Sequence, residues 1–75
     1  MYLIKYEKQA VKDMKNLKRA KLDSKAKTLI EILKRNPLEA PCEELAGNLA
    51  GLYSRRINIQ HRLVYEIFNE EVIIN

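Results

Sequence analysis

A hairpin-like stretch in the second half of the chain constrains the fold more than any other feature. It runs from Asn48 to Ile67 and contains a break at Gly51, after which residues 52–57 can run extended. Residues 58–60 can turn, and residues 61–67 again alternate in polarity. The apolar positions on one side of this second segment are Leu63, Tyr65 and Ile67. The stretch therefore predicts a turn followed by two strands.

Three arginines lie inside these apolar strands, namely Arg55, Arg56 and Arg62. Charged residues are scarce in strand interiors unless that face of the sheet is wet or meets an anion. On composition alone, a solvated sheet face and an anion-binding face remain equally open.

The N-terminal half of the chain predicts one strand and two helices. Residues 2–6 alternate as a strand does, and residues 7–19 carry the narrow apolar stripe of an amphipathic helix. A second helix begins at a cap on Asp23 or Ser24 and ends before Pro37, because proline disfavours a helical residue in front of it. The side chains expected to be buried against the sheet are Met14, Leu17, Ala26, Leu29, Ile30 and Leu33.

The remaining segments complete a small α+β domain spanning residues 1–75. Residues 37–50 form a loop-like middle, in which Glu43 to Leu45 are expected to make a short helical turn. A final strand covers residues 72–74 after a turn at residues 69–70. The predicted order is β-α-α-β-β-β, a mostly antiparallel sheet with a helical hairpin on one face and an open, basic, concave face opposite.

The register of the central hairpin decides whether the arginines meet. Arg56 and Arg62 face the same side only if Ile57 lies opposite His61 around a three-residue loop. We predict this register, with Ser54 and Val64 on the same open face. The side chains that it turns toward the helices are Tyr53, Ile57, Leu63, Tyr65 and Ile67.

The charge is unevenly distributed along the chain. Residues 1–35 hold 11 Lys/Arg against 4 Asp/Glu, a net +7, whereas residues 36–75 hold 3 against 6, a net −3. The basic half is consistent with an anionic partner such as RNA or an acidic protein segment, and also with a solvated pair of lysine-rich helices. No aromatic residue is interleaved with the lysines, so stacking of bases there has little support.

Several classes of site find no support in the sequence. One His and one Cys cannot build a zinc site without several carboxylates, and there is no glycine-rich phosphate loop. We therefore expect neither a metal nor another cofactor. The single Cys42 excludes an internal disulfide and suits a reducing cytosol. No apolar run approaches the ~20 residues that a membrane span needs, and no secretory signal is visible.

Two short motifs resemble a known family. They are Asn48-Leu49-x-Gly51-x-x-Ser54-Arg55-Arg56-Ile57 and His61-Arg62-Leu63-Val64-Tyr65. Together with Glu43-x-Leu45, they are similar to the YoeB/Txe branch of the RelE-like toxins, the mRNA-cleaving halves of bacterial toxin–antitoxin pairs. The family's pattern continues to a C-terminal His-Tyr pair that this sequence, ending at Asn75, does not contain. Ala46 also replaces a frequent lysine, and we expect slow cleavage by these 75 residues.

The resemblance implies roles for particular residues. Cleavage of RNA by its own 2′-hydroxyl needs a base, cations for the pentacoordinate phosphate and an acid for the leaving oxygen. The family pattern implies Glu43 as the base, Arg62 as the main cation and Arg56 as a phosphate-backbone contact. Arg55 and Ser54 are expected to bind RNA beside them. His61 is disfavoured as the acid. It lies two positions before Leu63 on an alternating strand, so its side chain is expected on the helix-covered side.

The resemblance also implies partners. A cognate antitoxin is expected to wrap the toxin with a segment that folds on binding, and promoter DNA is expected to be bound only through that antitoxin. The expected substrate is mRNA, cut either on the ribosome, which is favoured, or free of it, and no membrane is involved. The alternative is a catalytically inactive module that retains antitoxin or RNA binding, with Glu43 a simple loop carboxylate and the arginines paired with Glu44 or Glu66.

Overall fold

Two helices pack on one face of a five-stranded sheet in the computed structural model, which describes residues 1–75. The strands are β1 (Leu3–Tyr6), β2 (Glu43–Glu44), β3 (Leu52–Arg56), β4 (Arg62–Phe68) and β5 (Glu71–Ile74); the helices are α1 (Lys8–Arg19) and α2 (Asp23–Arg35). The order across the sheet is β1-β5-β4-β3-β2, and only the β1–β5 pair is parallel. The predicted α+β class is confirmed. Neither helix combines the length and apolar character that crossing a membrane requires.

The sheet has one strand more than predicted, and the helical turn expected at Glu43 to Leu45 is wrong. Glu43 pairs with Ser54 and Glu44 with Tyr53 in the antiparallel β2–β3 ladder, and the Leu45 amide donates to the Leu52 carbonyl at 2.8 Å. Without β2, the outer backbone groups of β3 would have no partner in the sheet, and unpaired buried groups are costly. The chain therefore forms a two-residue strand here instead of a helical turn. A 3₁₀ turn follows at Gly47–Leu49.

The second helix begins one or two residues earlier than predicted. Leu22 occupies the cap position and makes no side-chain cap bond, so the expected cap by Asp23 or Ser24 is wrong. Asp23 lies within the first turn instead, where its carboxylate suits the positive end of the helix dipole. The preceding Lys21 adopts a positive φ of 61°, which turns the chain between the two helices within three residues.

The core lies between the helices and the side of the sheet that they cover. Its buried members are Ala10, Leu17, Ala26, Ile30, Leu33, Ile57, Leu63, Tyr65, Val72 and Ile74. Most of the predicted stripe is confirmed, but Met14 and Leu29 are only half-buried and pack at the margin of the core. Leu29 lines a cleft near the sheet edge rather than facing the core directly.

A buried tyrosine anchors the loop after α2 to the sheet. The Tyr65 hydroxyl donates to the Pro37 carbonyl at 2.6 Å, and its ring stacks on Tyr53 with centroids 5.9 Å apart. Burial, followed by the nearby Cys42, raises the pKa of the Tyr65 phenol to about 12. This contact fixes where the chain leaves the helices and starts toward β2.

The predicted hairpin register is confirmed. Arg56 lies opposite Arg62 and Ser54 opposite Val64, while the Ile57 amide donates to the His61 carbonyl at 2.9 Å. Because successive strand residues alternate between faces, Ile57, Leu63 and Tyr65 reach the helices. Arg56 and Arg62 consequently share the face that no helix covers.

Candidate active site

Arg62 is held in place by a serine on the neighbouring strand. Both its Nε and its Nη2 donate to the Ser54 Oγ, at 3.1 and 2.9 Å. Ser54 is 1% exposed, so its hydroxyl supports the guanidinium from below rather than meeting a ligand itself. The sequence predicts Ser54 to contact RNA, whereas in the structure its buried hydroxyl accepts hydrogen bonds from Arg62. The diagonal position of Ser54 relative to Arg62 in the ladder could have indicated this contact.

Glu43 reaches the same face because β2 joins the sheet. Its register opposite Ser54 brings the carboxylate Oε1 to 3.4 Å from the Arg62 Nη2. The Glu43 side chain is 72% exposed and that of Arg62 35% exposed, so both remain open to a ligand. The two residues predicted as base and cation are thus brought together, and Arg62 pairs with neither Glu44 nor Glu66.

Arg56 stands next to Arg62 with its charge uncompensated. The two lie opposite each other at a position flanked by the hydrogen-bonded pair Ile57–His61, so they form a non-hydrogen-bonded pair, the closer of the two geometries. Arg56 is exposed and makes no ion pair and no side-chain hydrogen bond within the chain. Two adjacent guanidinium groups, with one carboxylate beside Arg62, present a positive surface suited to a phosphate.

Arg55 does not belong to this surface, which corrects its predicted place among the RNA contacts. It alternates with Ser54 and Arg56 along β3, so its side chain lies on the opposite face, where it is 4% exposed. Its Nη1 donates to the Glu39 carbonyl, while its Nε is buried without a partner. Arg55 and Ile57 are two positions apart on an extended segment, so their side chains point to the same face. Because Ile57 is predicted to face the helices, this spacing could have placed Arg55 on the helix-covered side as well.

His61 lies where its parity predicts, at the edge of the helix-covered side. Its Nδ1 is 3.2 Å from the Asn58 Oδ1, and that same oxygen accepts from the His61 amide at 2.7 Å. It lines a cleft of about 360 Å³ against α1 together with Asp13 and Asn16. The structure thus directs the imidazole toward α1 and away from Glu43.

A second cleft, of about 490 Å³, lies at the β2 edge of the sheet, where groups of the open face meet Arg55 and Leu29 from the helix-covered side. Its walls are formed by α2, by the loop leading into β2 and by β3 and β4, and the lining residues are Leu29, Ala40, Pro41, Cys42, Glu43, Ser54, Arg55, Arg56 and Arg62. Nowhere in the chain do three or more His, Cys, Asp or Glu side chains converge as metal ligands would. The ionisable groups that could take part in a reaction in this cleft are one carboxylate and the neighbouring guanidinium groups.

Comparison with known proteins identifies similar sequences. A profile of the YoeB-like toxin of bacterial type II toxin–antitoxin systems matches residues 6–75. Toxin YoeB of Synechocystis sp. is 42% identical over 64 residues, covering 83% of this chain and 67% of that protein. Toxin YoeB of Escherichia coli K12 is 40% identical over 52 residues, and the match spans only 62% of its length.

Solved structures agree with the sequence comparison. The chain superimposes on the YoeB–YefM toxin–antitoxin complex from Staphylococcus aureus with a TM-score of 0.84 and 37% identity, covering 99% of this chain and 91% of the matched one. The YoeB/ParE toxin from Agrobacterium tumefaciens gives a TM-score of 0.88 at 27% identity, covering 97% and 92%. The arrangement of helices and sheet is therefore shared along nearly the whole chain.

Proposed function

The chain belongs to the YoeB-like toxins of bacterial type II toxin–antitoxin systems, and we propose that it is an endoribonuclease that cleaves mRNA on the ribosome. The observation that supports this most is the Arg62 guanidinium, fixed by Ser54 beside the Glu43 carboxylate on the uncovered face. Because the matched stretches span about two thirds of the curated relatives, the activity of the whole toxin is part of the proposal.

The proposed reaction uses the RNA's own 2′-hydroxyl as the nucleophile. The Glu43 carboxylate takes the proton of that hydroxyl while the 2′-oxygen bonds to phosphorus. The bond from phosphorus to the 5′-oxygen then breaks, leaving a 2′,3′-cyclic phosphate and a 5′-hydroxyl that takes a proton from water. Arg62 stabilises the charge that develops on the phosphate oxygens, and this works best when the donor is already positioned.

Arg56 has a separate part in the proposal. Its planar guanidinium can hold two oxygens of a neighbouring phosphate, and it has no partner inside the chain to compete. Positive charge on this face also attracts RNA over some distance, which makes binding dependent on salt. Arg56 is therefore assigned to binding and alignment rather than to proton transfer.

The proposed partner that controls the activity is a cognate antitoxin in the cytoplasm. The similar Staphylococcus aureus toxin was solved as a heterotetrameric complex with the antitoxin YefM, which supports this assignment. An antitoxin that covers the open face would exclude RNA from Glu43 and Arg62. Binding of promoter DNA is assigned to the antitoxin.

The test is a primer-extension map of mRNA on programmed ribosomes for the native chain and for Glu43→Gln and Arg62→Ala. We expect codon-positioned cuts that each substitution removes almost completely. Glu44→Gln is the matched control, because Glu44 is the neighbouring exposed acid on the other face of β2. Ribosome binding without any cutting would identify the chain as an inactive binding module, and unchanged cutting in both variants would remove these residues from the reaction.

A further inference from the structure

A groove between the two helices has an apolar floor and a rim of lysines. It takes residues from α1, from the first half of α2 and from the end of β1, and its volume is about 420 Å³. The lining residues are Tyr6, Val11, Met14, Lys15, Lys18, Asp23 and Lys27. None of them belongs to the cleft that contains Glu43 and Arg62. The groove is therefore a separate surface of the molecule.

The floor of the groove leaves apolar surface in contact with water. Val11 is 46% exposed and Tyr6 45% exposed, and Met14 beside them is half-buried. Single exposed apolar side chains are ordinary on a protein surface, but these three line one concavity. A helical face that serves only to be solvated needs no such floor, so a solvated pair of lysine-rich helices does not account for it.

The rim of the groove carries positive charge that the chain itself does not neutralise. Three lysines line the groove against the single carboxylate of Asp23. Lys15, Lys18 and Lys27 are exposed, and none of them lies within ion-pair distance of an acidic side chain. Like charges gathered around one concavity repel each other, and an acidic partner relieves that repulsion. The groove therefore fits a partner that is apolar along one side and acidic at the edges of that side.

The shape of the groove suits a helix. Its residues on α1 fall at positions 11, 14, 15 and 18, the i, i+3, i+4 and i+7 spacing of a single helix face. This face spans about 10 Å along the axis, which is two helical turns. On the other side, α2 contributes Asp23 and Lys27, one turn apart. Two helical walls of this length can accept the apolar stripe of a third helix between their ridges.

We propose that this groove is the docking site of an acidic amphipathic helix from a partner protein. Apolar side chains on one face of that helix pack on Tyr6, Val11 and Met14, and the carboxylates that flank them pair with the three lysines. A nucleic-acid backbone would neutralise the lysines but leave the apolar floor exposed, so it fits the surface less well. Because the groove shares no residue with the nuclease cleft, the inference does not rest on nuclease activity.

Fluorescence anisotropy with a synthetic peptide tests the groove directly. The probe is a labelled peptide of about 15 residues, long enough to form a helix, with leucines at the i, i+4 and i+7 spacing and glutamates beside them. The comparison peptide has the same composition, but its leucines are dispersed around the helix. We expect the native chain to bind the amphipathic peptide about tenfold more tightly, the effect of burying one more leucine side chain. Equal binding of the two peptides would overturn the proposal.

Two sets of charge reversals separate the groove from the overall charge of the protein. The groove set is Lys15→Glu, Lys18→Glu and Lys27→Glu, and the control set, taken from exposed lysines of the same helices outside the groove, is Lys8→Glu, Lys12→Glu and Lys25→Glu. Both sets change the net charge equally, and circular dichroism checks that both variants fold. The groove set should weaken binding of the amphipathic peptide about tenfold more than the control set, as expected for three exposed ion pairs. Equal weakening would show that only overall charge matters and would remove the role of the groove.

A single substitution in the floor distinguishes a protein helix from RNA. Val11→Ser removes apolar surface at an exposed position of α1, and Leu38→Ser, at a 54% exposed position outside the groove, is the matched control. Val11→Ser should weaken binding of the amphipathic peptide about fivefold, since it removes part of the buried apolar area, whereas Leu38→Ser should not weaken it. Peptide binding that is unchanged in Val11→Ser would contradict the proposal. So would an RNA duplex that binds the native chain more tightly than the peptide and loses its affinity only in the groove set.

Discussion

Arg56 and Arg62 lie directly opposite each other in the β3–β4 ladder, on the face of the sheet that no helix covers. Ser54 and Glu43 compensate only Arg62, through two hydrogen bonds and one ion pair. Like charges directly opposite each other in a sheet are destabilising. The pair is therefore a position where binding of an anion relieves a cost that the folded chain otherwise carries.

Replacement of Arg56 should separate stability from binding. We expect Arg56→Ala to raise the free energy of unfolding by a few tenths to about 1 kcal/mol, because it removes the like-charge pair, and to weaken RNA binding. Urea denaturation and fluorescence anisotropy with a short RNA measure the two effects. Arg35→Ala at the C-terminal end of α2 is the control and should not be stabilising, because a cation there suits the helix dipole. A destabilised Arg56→Ala chain would contradict this interpretation.

Ser54 should act through Arg62 alone. Ser54→Ala removes the oxygen that accepts from both Nε and Nη2, so cleavage should fall by about 10²-fold as the guanidinium loses its alignment. In the Arg62→Ala background the same substitution should have almost no further effect on cleavage. A double-mutant cycle measures this coupling. Additive losses in the two backgrounds would show that Ser54 contributes independently of Arg62.

The hairpin and the helices could be predicted because their patterns are local. Parity alone fixes that Arg56 and Arg62 share a face once the loop length is assumed, and the spacing of Ala26, Ile30 and Leu33 specifies a buried stripe. The two-residue strand β2 has no such pattern, because its pairing partner lies in β3 and only the assembled sheet shows the unpaired edge. The pairing of β2 with β3, which brings Glu43 to the site, therefore could not be predicted from the sequence.

Arg55 illustrates the other limit of the sequence. Its alternation with Arg56 was visible, but a buried arginine is rare, so the three arginines of the hairpin suggested one common surface. The carbonyl of Glu39, which accepts from its guanidinium, lies 16 positions away and becomes a neighbour only after the loop folds back. Contacts of this kind depend on tertiary structure and have no local signal.

The core stripe predicts unequal costs for two leucines of α2. Leu33 is fully buried and Leu29 only half-buried, so Leu33→Ala should cost about 2–5 kcal/mol and Leu29→Ala clearly less. Chemical denaturation of both variants gives the two values. An equal or larger loss for Leu29→Ala would mean that its packing beside the cleft matters as much as the central core.

Tyr65 predicts how stability changes at high pH. Its folded-state pKa of about 12 exceeds the ordinary value of 10.0, so the unfolded chain loses the phenolic proton first as pH rises. The resulting contribution, about 3 kcal/mol at most, is fully present below pH 10 and is lost between about pH 10 and 12. Tyr65→Phe should lose the Pro37 hydrogen bond, at about 1 kcal/mol, and show a flatter decline over that window. Parallel declines in the two chains would contradict the burial of this phenol.

The cleavage chemistry itself can be tested at a single atom of the substrate. An mRNA that carries a 2′-deoxynucleotide only at the mapped cut site removes the proposed nucleophile and leaves binding, codon position and every phosphate in place. On programmed ribosomes, we expect cutting at that position to disappear, while the all-ribose mRNA yields a 2′,3′-cyclic phosphate that Arg62→Ala no longer produces. Continued cutting at the deoxynucleotide would contradict attack by the 2′-hydroxyl and the roles proposed for Glu43 and Arg62.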